Sequence, residues 1–163
     1  MTLKNQQQSK PKIYIGNDHA GVAFKQKLLA WLTQKGYVVE DLGSQDETAQ
    51  DDYTDFAFAV AQKVVKSKGR AKGILLCGTG TGMAIAANKV TGARAASCHD
   101  VYTATMSRRD NDANILALQC RNVSYSQLPK ITTVWLQEPF LKEARFVRRI
   151  TKIKKKEQEQ RAL

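Results

Sequence analysis

Cys77 stands at the end of a short apolar run, Ile74-Leu75-Leu76, and is followed by alternate glycines, Gly78, Gly80 and Gly82, interleaved with Thr79 and Thr81. The apolar run reads as a buried strand. Met83-Ala84-Ile85-Ala86-Ala87 reads as a small-residue helix after the glycines. A thiol is thereby placed beside backbone N–H groups at a helix N-terminus, a setting that suits an anionic ligand or intermediate. Such a terminus can lower a thiol pKa from about 8.5 toward neutrality, which makes Cys77 a candidate base or nucleophile. The amides of Gly78, Gly80 and Gly82 and the Thr79 hydroxyl are candidate donors to a developing oxyanion. The plainer alternative is a buried structural cysteine in a glycine-rich turn, and both features are common.

A second segment, Gly16-Asn17-Asp18-His19-Ala20-Gly21, offers a carboxylate and an imidazole for proton transfer or phosphate contact. Asp18 is equally suited to cap the helix that follows. This first turn does not match G-x-G-x-x-G, which argues against a dinucleotide site, and no Gly-Lys-Ser/Thr follows the later glycines, which excludes a Walker A loop. A cysteine hydrolase would need a base to activate the thiol, and His99, after the fourth strand, is not obviously placed for it.

The elements that must position these groups follow a regular rhythm. Strands are expected at residues 12–16, 37–42, 73–77, 93–97 and 114–118. Helices are expected at about 20–34, 53–67, 82–90, 100–109, 124–137 and 139–158, with a polar, acidic loop over 44–52. The first helix carries its apolar face on Val22, Phe24, Leu28, Leu29, Trp31 and Leu32 and ends at Gly36. Strands alternating with helices predict an α/β fold: a Rossmann-like, doubly wound, five-stranded parallel sheet with helices on both faces. The expected order is 2-1-3-4-5. Ligands then bind between strands one and three, outside their carboxyl ends, where the Asp18-His19 loop meets Cys77.

At 163 residues the chain suits one domain, expected over 12–158, with a disordered tail over 1–11 and a short tail over 159–163. No apolar run approaches the roughly 18 residues that span a membrane, and the N-terminal segment lacks a signal-peptide core. A cytoplasmic location and no membrane partner are therefore expected. Cys77, Cys98 and Cys120 form no C-x-x-C pair, which argues against a disulfide framework or structural zinc. Of the net charge of +11, residues 142–163 supply more than half, with nine Lys or Arg against three Asp or Glu. No aromatic interrupts Lys152-Ile153-Lys154-Lys155-Lys156 as a nucleic-acid stacking platform would require, so the run reads as a solvated helix face.

Together these segments resemble ribose-5-phosphate isomerase type B, a family that includes galactose-6-phosphate isomerase subunits and allose-6-phosphate isomerases. The resemblance rests on Gly16–Gly21, Asp52-Tyr53, Cys77–Met83 with Ala86-Ala87-Asn88-Lys89, Gly92–Ala96 and Asn111–Asn114, and it spans residues 12–153. It implies a metal-free and cofactor-free aldose–ketose isomerase that interconverts ribose 5-phosphate and ribulose 5-phosphate through a cis-enediolate. Cys77 matches the base, and Thr79 with the following amides matches the anion hole. Asp18 matches a residue that handles the sugar ring, His19 a phosphate contact and Tyr53 a pocket tyrosine. Arg121, Arg145 and Arg149 match arginines that grip the phosphate, with Asn111 near the sugar. The family's sites form between two subunits. A homodimer with the C-terminal helix toward its partner is therefore implied, and pairing of dimers into tetramers stays open.

The chain departs from the family pattern at named positions. Asp110 stands where ribose enzymes carry the histidine that helps open the furanose ring, and an ordinary aspartate, near pKa 3.9, is a poorer acid at neutral pH. Phe146 replaces the histidine after Arg145, Glu143-Ala144 replaces a Gly-Gly pair, and Gln119 replaces a glycine. A hexose-6-phosphate isomerase and a catalytically weak sugar-phosphate-binding protein are therefore the alternative readings.

Overall fold

The computed structural model describes residues 10–161. The disordered tail expected over 1–11 therefore falls mostly outside the described residues. Within them, Lys10 contacts the Lys35 carbonyl and lies over the Tyr37 ring.

Strands β1 (Lys12–Asn17), β2 (Val39–Asp41), β3 (Ala71–Cys77), β4 (Ala95–Ser97) and β5 (Ile115–Gln119) pair in parallel in one sheet. Helices α1 (Val22–Gln34), α2 (Tyr53–Lys66), α3 (Thr81–Ala87), α4 (Val101–Arg109), α5 (Gln127–Gln137) and α6 (Ala144–Arg161) surround it. A 3-10 turn, His19–Gly21, leads into α1. The alternation of strand residues divides the core into two layers. Ile13, Ile15, Ile74, Leu76, Leu116 and Leu118 pack with Leu28, Leu32, Leu128 and Trp135 on one face. Leu75, Cys77, Ile115 and Ala117 pack with Val60, Val64, Met83 and Ala87 on the other.

The observed order is β2-β1-β3-β5-β4, which corrects the expected placement of the last two strands. The reason lies in burial. Ile115-Leu116-Ala117-Leu118 are excluded from solvent on both faces and need neighbours on both edges. Ala95-Ala96-Ser97 is short and half-buried throughout, which suits an edge. The doubly wound architecture and the crevice between β1 and β3 are unchanged. The exchange sets the end of β5 directly beside Cys77, with Cys77 opposite Gln119.

Two helices start later than expected. Ser124-Tyr125-Ser126 forms a turn before α5, in which Gln127 N–H donates to the Ser124 carbonyl. Pro139, which cannot continue a helix, follows the end of α5, and Lys142 takes a left-handed φ of 57° before α6. Helix α6 runs on to Arg161, so residues 159–161 continue the helix instead of forming a tail, and 162–163 lie outside the described residues. Among the described residues no helix is long and apolar enough to cross a membrane.

Candidate active site

Cys77 is the last residue of β3 and is 5% exposed, with its sulfur in the layer under α2 and α3. The chain turns sharply after it because Gly80 adopts φ 78°, a left-handed conformation natural to glycine. A Cβ at Gly80 would also stand 3.1 Å from Ser97 Oγ and 3.2 Å from the Leu118 backbone. This turn aims the Gly80 N–H at Cys77, where it donates to Sγ across 3.1 Å. The Thr79 side chain is exposed, and its Oγ1 accepts from Thr81 N–H at 3.3 Å. Of the donors expected to face an oxyanion, Gly80 is thus directed at the thiol itself.

The loop after β1 closes on the same place. Asp18 N–H donates to the Leu76 carbonyl at 3.3 Å, tying the loop to the end of β3. The Asp18 carboxylate accepts from Ala20 N–H at 3.0 Å, so it does cap the 3-10 turn. Burial pushes its pKa up, opposed by the neighbouring His19, the Ala20 N–H and Arg121 and supported by Asp51. His19 Nδ1 lies 2.9 Å from Asp51 Oδ1, and His19 N–H donates to the same oxygen at 3.1 Å. Burial works to raise the Asp51 carboxyl, but the Ser44 hydroxyl and the two His19 contacts outweigh it and hold it below the usual aspartate value.

Two further side chains frame the crevice. Tyr53 opens α2 and rests its ring against Gly82, where a Cβ would come within 2.9 Å of it. The Arg121 side chain lies beside Gly78, within 3.4 Å of where a Cβ would stand, and its backbone N–H donates to the Gly78 carbonyl at 3.1 Å. The central position of β5 is what brings it there. Cys120 beside it is pushed up to about 12 by burial, with Cys77 and Asp18 adding to the rise. That thiol is inert as a base. Among the described residues no three His, Cys, Asp or Glu side chains converge as a metal site would require.

The remaining candidates lie elsewhere in the chain. Helix α4 runs back from the carboxyl edge of the sheet and ends at Asp110, whose carboxylate pairs with Arg109 Nε at 3.0 Å. Asn111 follows at the amino edge, close to Asn114, whose carbonyl accepts from Gly73 N–H near the start of β3. It lines a cleft of about 370 Å³ with Asn88, Arg94 and Glu157. Leu141 N–H donates to the Arg109 carbonyl and Glu157 accepts from Gly92 N–H, so α6 also borders this edge. Arg145 Nε pairs with Glu143 at 2.8 Å, and Arg145 and Arg149 both lie over the Phe146 ring, at 4.5 and 5.9 Å. One chain therefore brings together Asp18, His19, Tyr53, Cys77–Gly82 and Arg121. It leaves Asp110, Asn111, Arg145 and Arg149 at the opposite end of the strands.

Asp51 was not singled out by sequence. It sits within an acidic run, Asp46, Glu47, Asp51 and Asp52, in which nothing marks one carboxylate as the partner of His19.

A switch-point thiol flanked by a carboxylate, an imidazole and a guanidinium, on a doubly wound sheet, defines a sugar-phosphate aldose–ketose isomerase once the chain is set beside known proteins. It matches the Ribose/Galactose Isomerase family over residues 13–153, and it belongs to that family. It is 43% identical to a probable ribose-5-phosphate isomerase B of Mycoplasma genitalium, over 90% of this chain and 96% of the relative. It is 42% identical to a D-erythrulose-4-phosphate isomerase of Pectobacterium atrosepticum, over 78% of this chain and 84% of the relative. The crystal structure of ribose-5-phosphate isomerase B from Mycoplasma genitalium with bound ribulose-5-phosphate superposes with a TM-score of 0.87 at 42% identity, covering 91% of this chain and 97% of that one.

Proposed function

We propose that this isomerase interconverts ribose 5-phosphate and ribulose 5-phosphate, with Cys77 as the base. The observation that carries the reading is the buried Cys77 sulfur at the β1–β3 switch point, taking the Gly80 N–H. In the open-chain aldose, the Cys77 thiolate removes the proton from C2. The C2–H electron pair forms the C1=C2 bond, and the carbonyl oxygen on C1 becomes the oxyanion of a cis-enediolate. The Thr79 hydroxyl and the amides of the 78–82 turn other than Gly80, whose N–H is on the sulfur, are the donors offered to that charge. The O2 proton then passes to O1, the electron pair left on O2 forms the C2 carbonyl, and the C1=C2 pair takes the proton back from the Cys77 thiol at C1, which gives the ketose and restores the thiolate. One group suffices for both transfers because C1 and C2 are adjacent on one face of the planar enediolate. Asp18 and Tyr53 line the sugar, and His19 and Arg121 lie where a phosphate is bound.

A second copy of the chain completes the site in this reading. Asp110, Asn111, Arg145 and Arg149 lie at the amino edge of their own sheet and reach a crevice only in a neighbouring subunit. A homodimer with shared sites, formed across α6, answers that geometry. The exposed apolar residues Leu141, Val147 and Ile153, on and just before α6, fit such a contact.

The test is turnover measured across pentose 5-phosphates, hexose 6-phosphates and erythrulose 4-phosphate. The expected result is the highest kcat/KM for the ribose/ribulose 5-phosphate pair. Preference for a four- or six-carbon sugar would overturn the substrate assignment and leave the isomerase class in place. The relative that isomerises erythrulose 4-phosphate makes a shorter sugar the second reading.

A further inference from the structure

Lys25 is a charge that the isomerase chemistry leaves unexplained. It lies on the inner face of α1 with Val22, Leu28 and Leu32, and its side chain is wholly excluded from solvent. An ammonium ion in such a place is costly unless it is paired and hydrogen-bonded. Here Nζ donates to the Ser44 carbonyl at 2.6 Å and lies 2.9 Å from Asp41 Oδ2. Both acceptors belong to the segment that leaves β2.

That segment is also bound to the active-site loop. Ser44 N–H donates to the Asn17 carbonyl at 3.0 Å. The buried Asn17 amide donates to the Ser44 carbonyl at 3.2 Å and to the Asp18 carbonyl at 2.7 Å. The Ser44 carbonyl thus accepts from Lys25 and Asn17 together, and the Asn17 amide passes the connection to Asp18. Gly43 lets the two backbones meet, since a Cβ there would stand 2.6 Å from Asn17 N. Further along, Asp51 Oδ1 accepts from the His19 backbone N–H and lies 2.9 Å from the ring Nδ1. A compact ammonium can serve two acceptors at one point, which the planar fork of an arginine cannot do in the same space.

We propose that Lys25 is a positioning residue of the isomerase. Its buried ammonium fixes the 41–51 segment, which through Asn17 and Asp51 sets Asp18 and His19 against the sugar phosphate. The inference rests on the roles given above to Asp18 and His19. A purely structural lysine would alter the melting temperature and the yield of folded enzyme. A positioning lysine also alters the kinetics of the folded enzyme, and its effect is shared with that of Asp51.

The experiment is steady-state kinetics on ribose 5-phosphate with full-length wild type, Lys25→Met, Asp41→Asn, Asp51→Asn and the pairwise combinations, at a temperature where circular dichroism shows each folded. His19→Ala is measured alongside. Lys25→Met and Asp41→Asn are expected to raise KM about tenfold with a smaller fall in kcat, since small displacements of binding groups carry losses of this order. Each combination with Asp51→Asn is expected to lower kcat/KM no further than the worse single variant does, the mark of residues acting through one path. Because removing one member of a buried ion pair can unfold a protein, the double variant Lys25→Met/Asp41→Asn, which removes both charges, carries the same test if a single variant does not fold. Unchanged KM and kcat in folded variants, or losses that multiply independently with Asp51→Asn, would overturn the proposal while a damaging His19→Ala leaves the site reading intact. An inert His19→Ala would overturn the site reading, and the proposal with it.

Discussion

The backbone N–H of Gly80 donates to the sulfur of Cys77 across 3.1 Å, and the left-handed turn at Gly80 makes this possible. The thiol is therefore held in one direction by its own loop. Cys77→Ala is expected to lower kcat by at least about a thousandfold, as loss of a proton-transferring or covalent group does, with the fold retained. Cys120→Ala is expected to keep near-normal turnover, because that thiol is pushed up to about 12. Initial-rate assays with matched circular dichroism spectra decide it. Wild-type turnover by Cys77→Ala would remove the residue as the base.

Arg145 and Arg149 stack on Phe146 at the edge of the sheet away from Cys77. If they grip the phosphate in a neighbouring subunit, Arg149→Ala raises KM and lowers kcat together, because remote binding energy also positions the reacting carbons. Two inactive variants then rescue each other. An equal mixture of Cys77→Ala and Arg149→Ala subunits, unfolded and refolded together, is expected to recover about one quarter of wild-type activity. Half of the dimers are mixed, and each mixed dimer holds one intact site. A mixture as inactive as its components would mean that the two residues do not meet across a subunit boundary.

Much of this arrangement was legible from residue types. The run Ile74–Leu76 announces a strand buried on both faces, and the cysteine and glycines after it announce a turn at a switch point. The neighbours of β5 were not legible, because periodicity shows that Ile115–Leu118 is buried but not which strands flank it. That one exchange decides whether Arg121 reaches Gly78. Lys25 was hidden for a different reason: between apolar positions of α1 it has the composition of a solvated helix face, and only the Ser44 carbonyl and Asp41 opposite it make its burial tolerable. Asp51 was one carboxylate among several until the fold turned it toward His19.

Asp110 ends α4 with its carboxylate on Arg109. A carboxylate can accept a proton from the anomeric hydroxyl, whereas an imidazole can also donate one to the ring oxygen. Asp110→His is therefore expected to raise the initial rate on cyclic ribose 5-phosphate more than on ribulose 5-phosphate, which cannot close the same ring. The ratio of the two initial rates, corrected for KM, is the measurement. An unchanged ratio would place ring opening on another group.

Lys72 makes a prediction about stability and pH. It lies on β3 opposite Ile13, and its amine is pushed down to about 8 by burial first, then by the nearby Arg108 and Arg94, with Asp112 pulling the other way. In the unfolded chain the same amine titrates near 10.5. Below pH 8 both states hold the proton, and the folded state bears the full cost of a crowded, half-buried cation. Between pH 8 and 10.5 the unfolded state binds more protons than the folded one, so this site makes the protein more stable as pH rises. Lys72→Met removes the charge and keeps most of the volume. It is expected to stabilise the fold by about 1–3 kcal/mol at pH 7, and the gain should shrink toward zero as the pH approaches 10.5. Thermal melts of both proteins at pH 7 and at about pH 9.5 test the sign directly. A melting-temperature difference that stays constant between the two would show that the cation at position 72 carries no such cost.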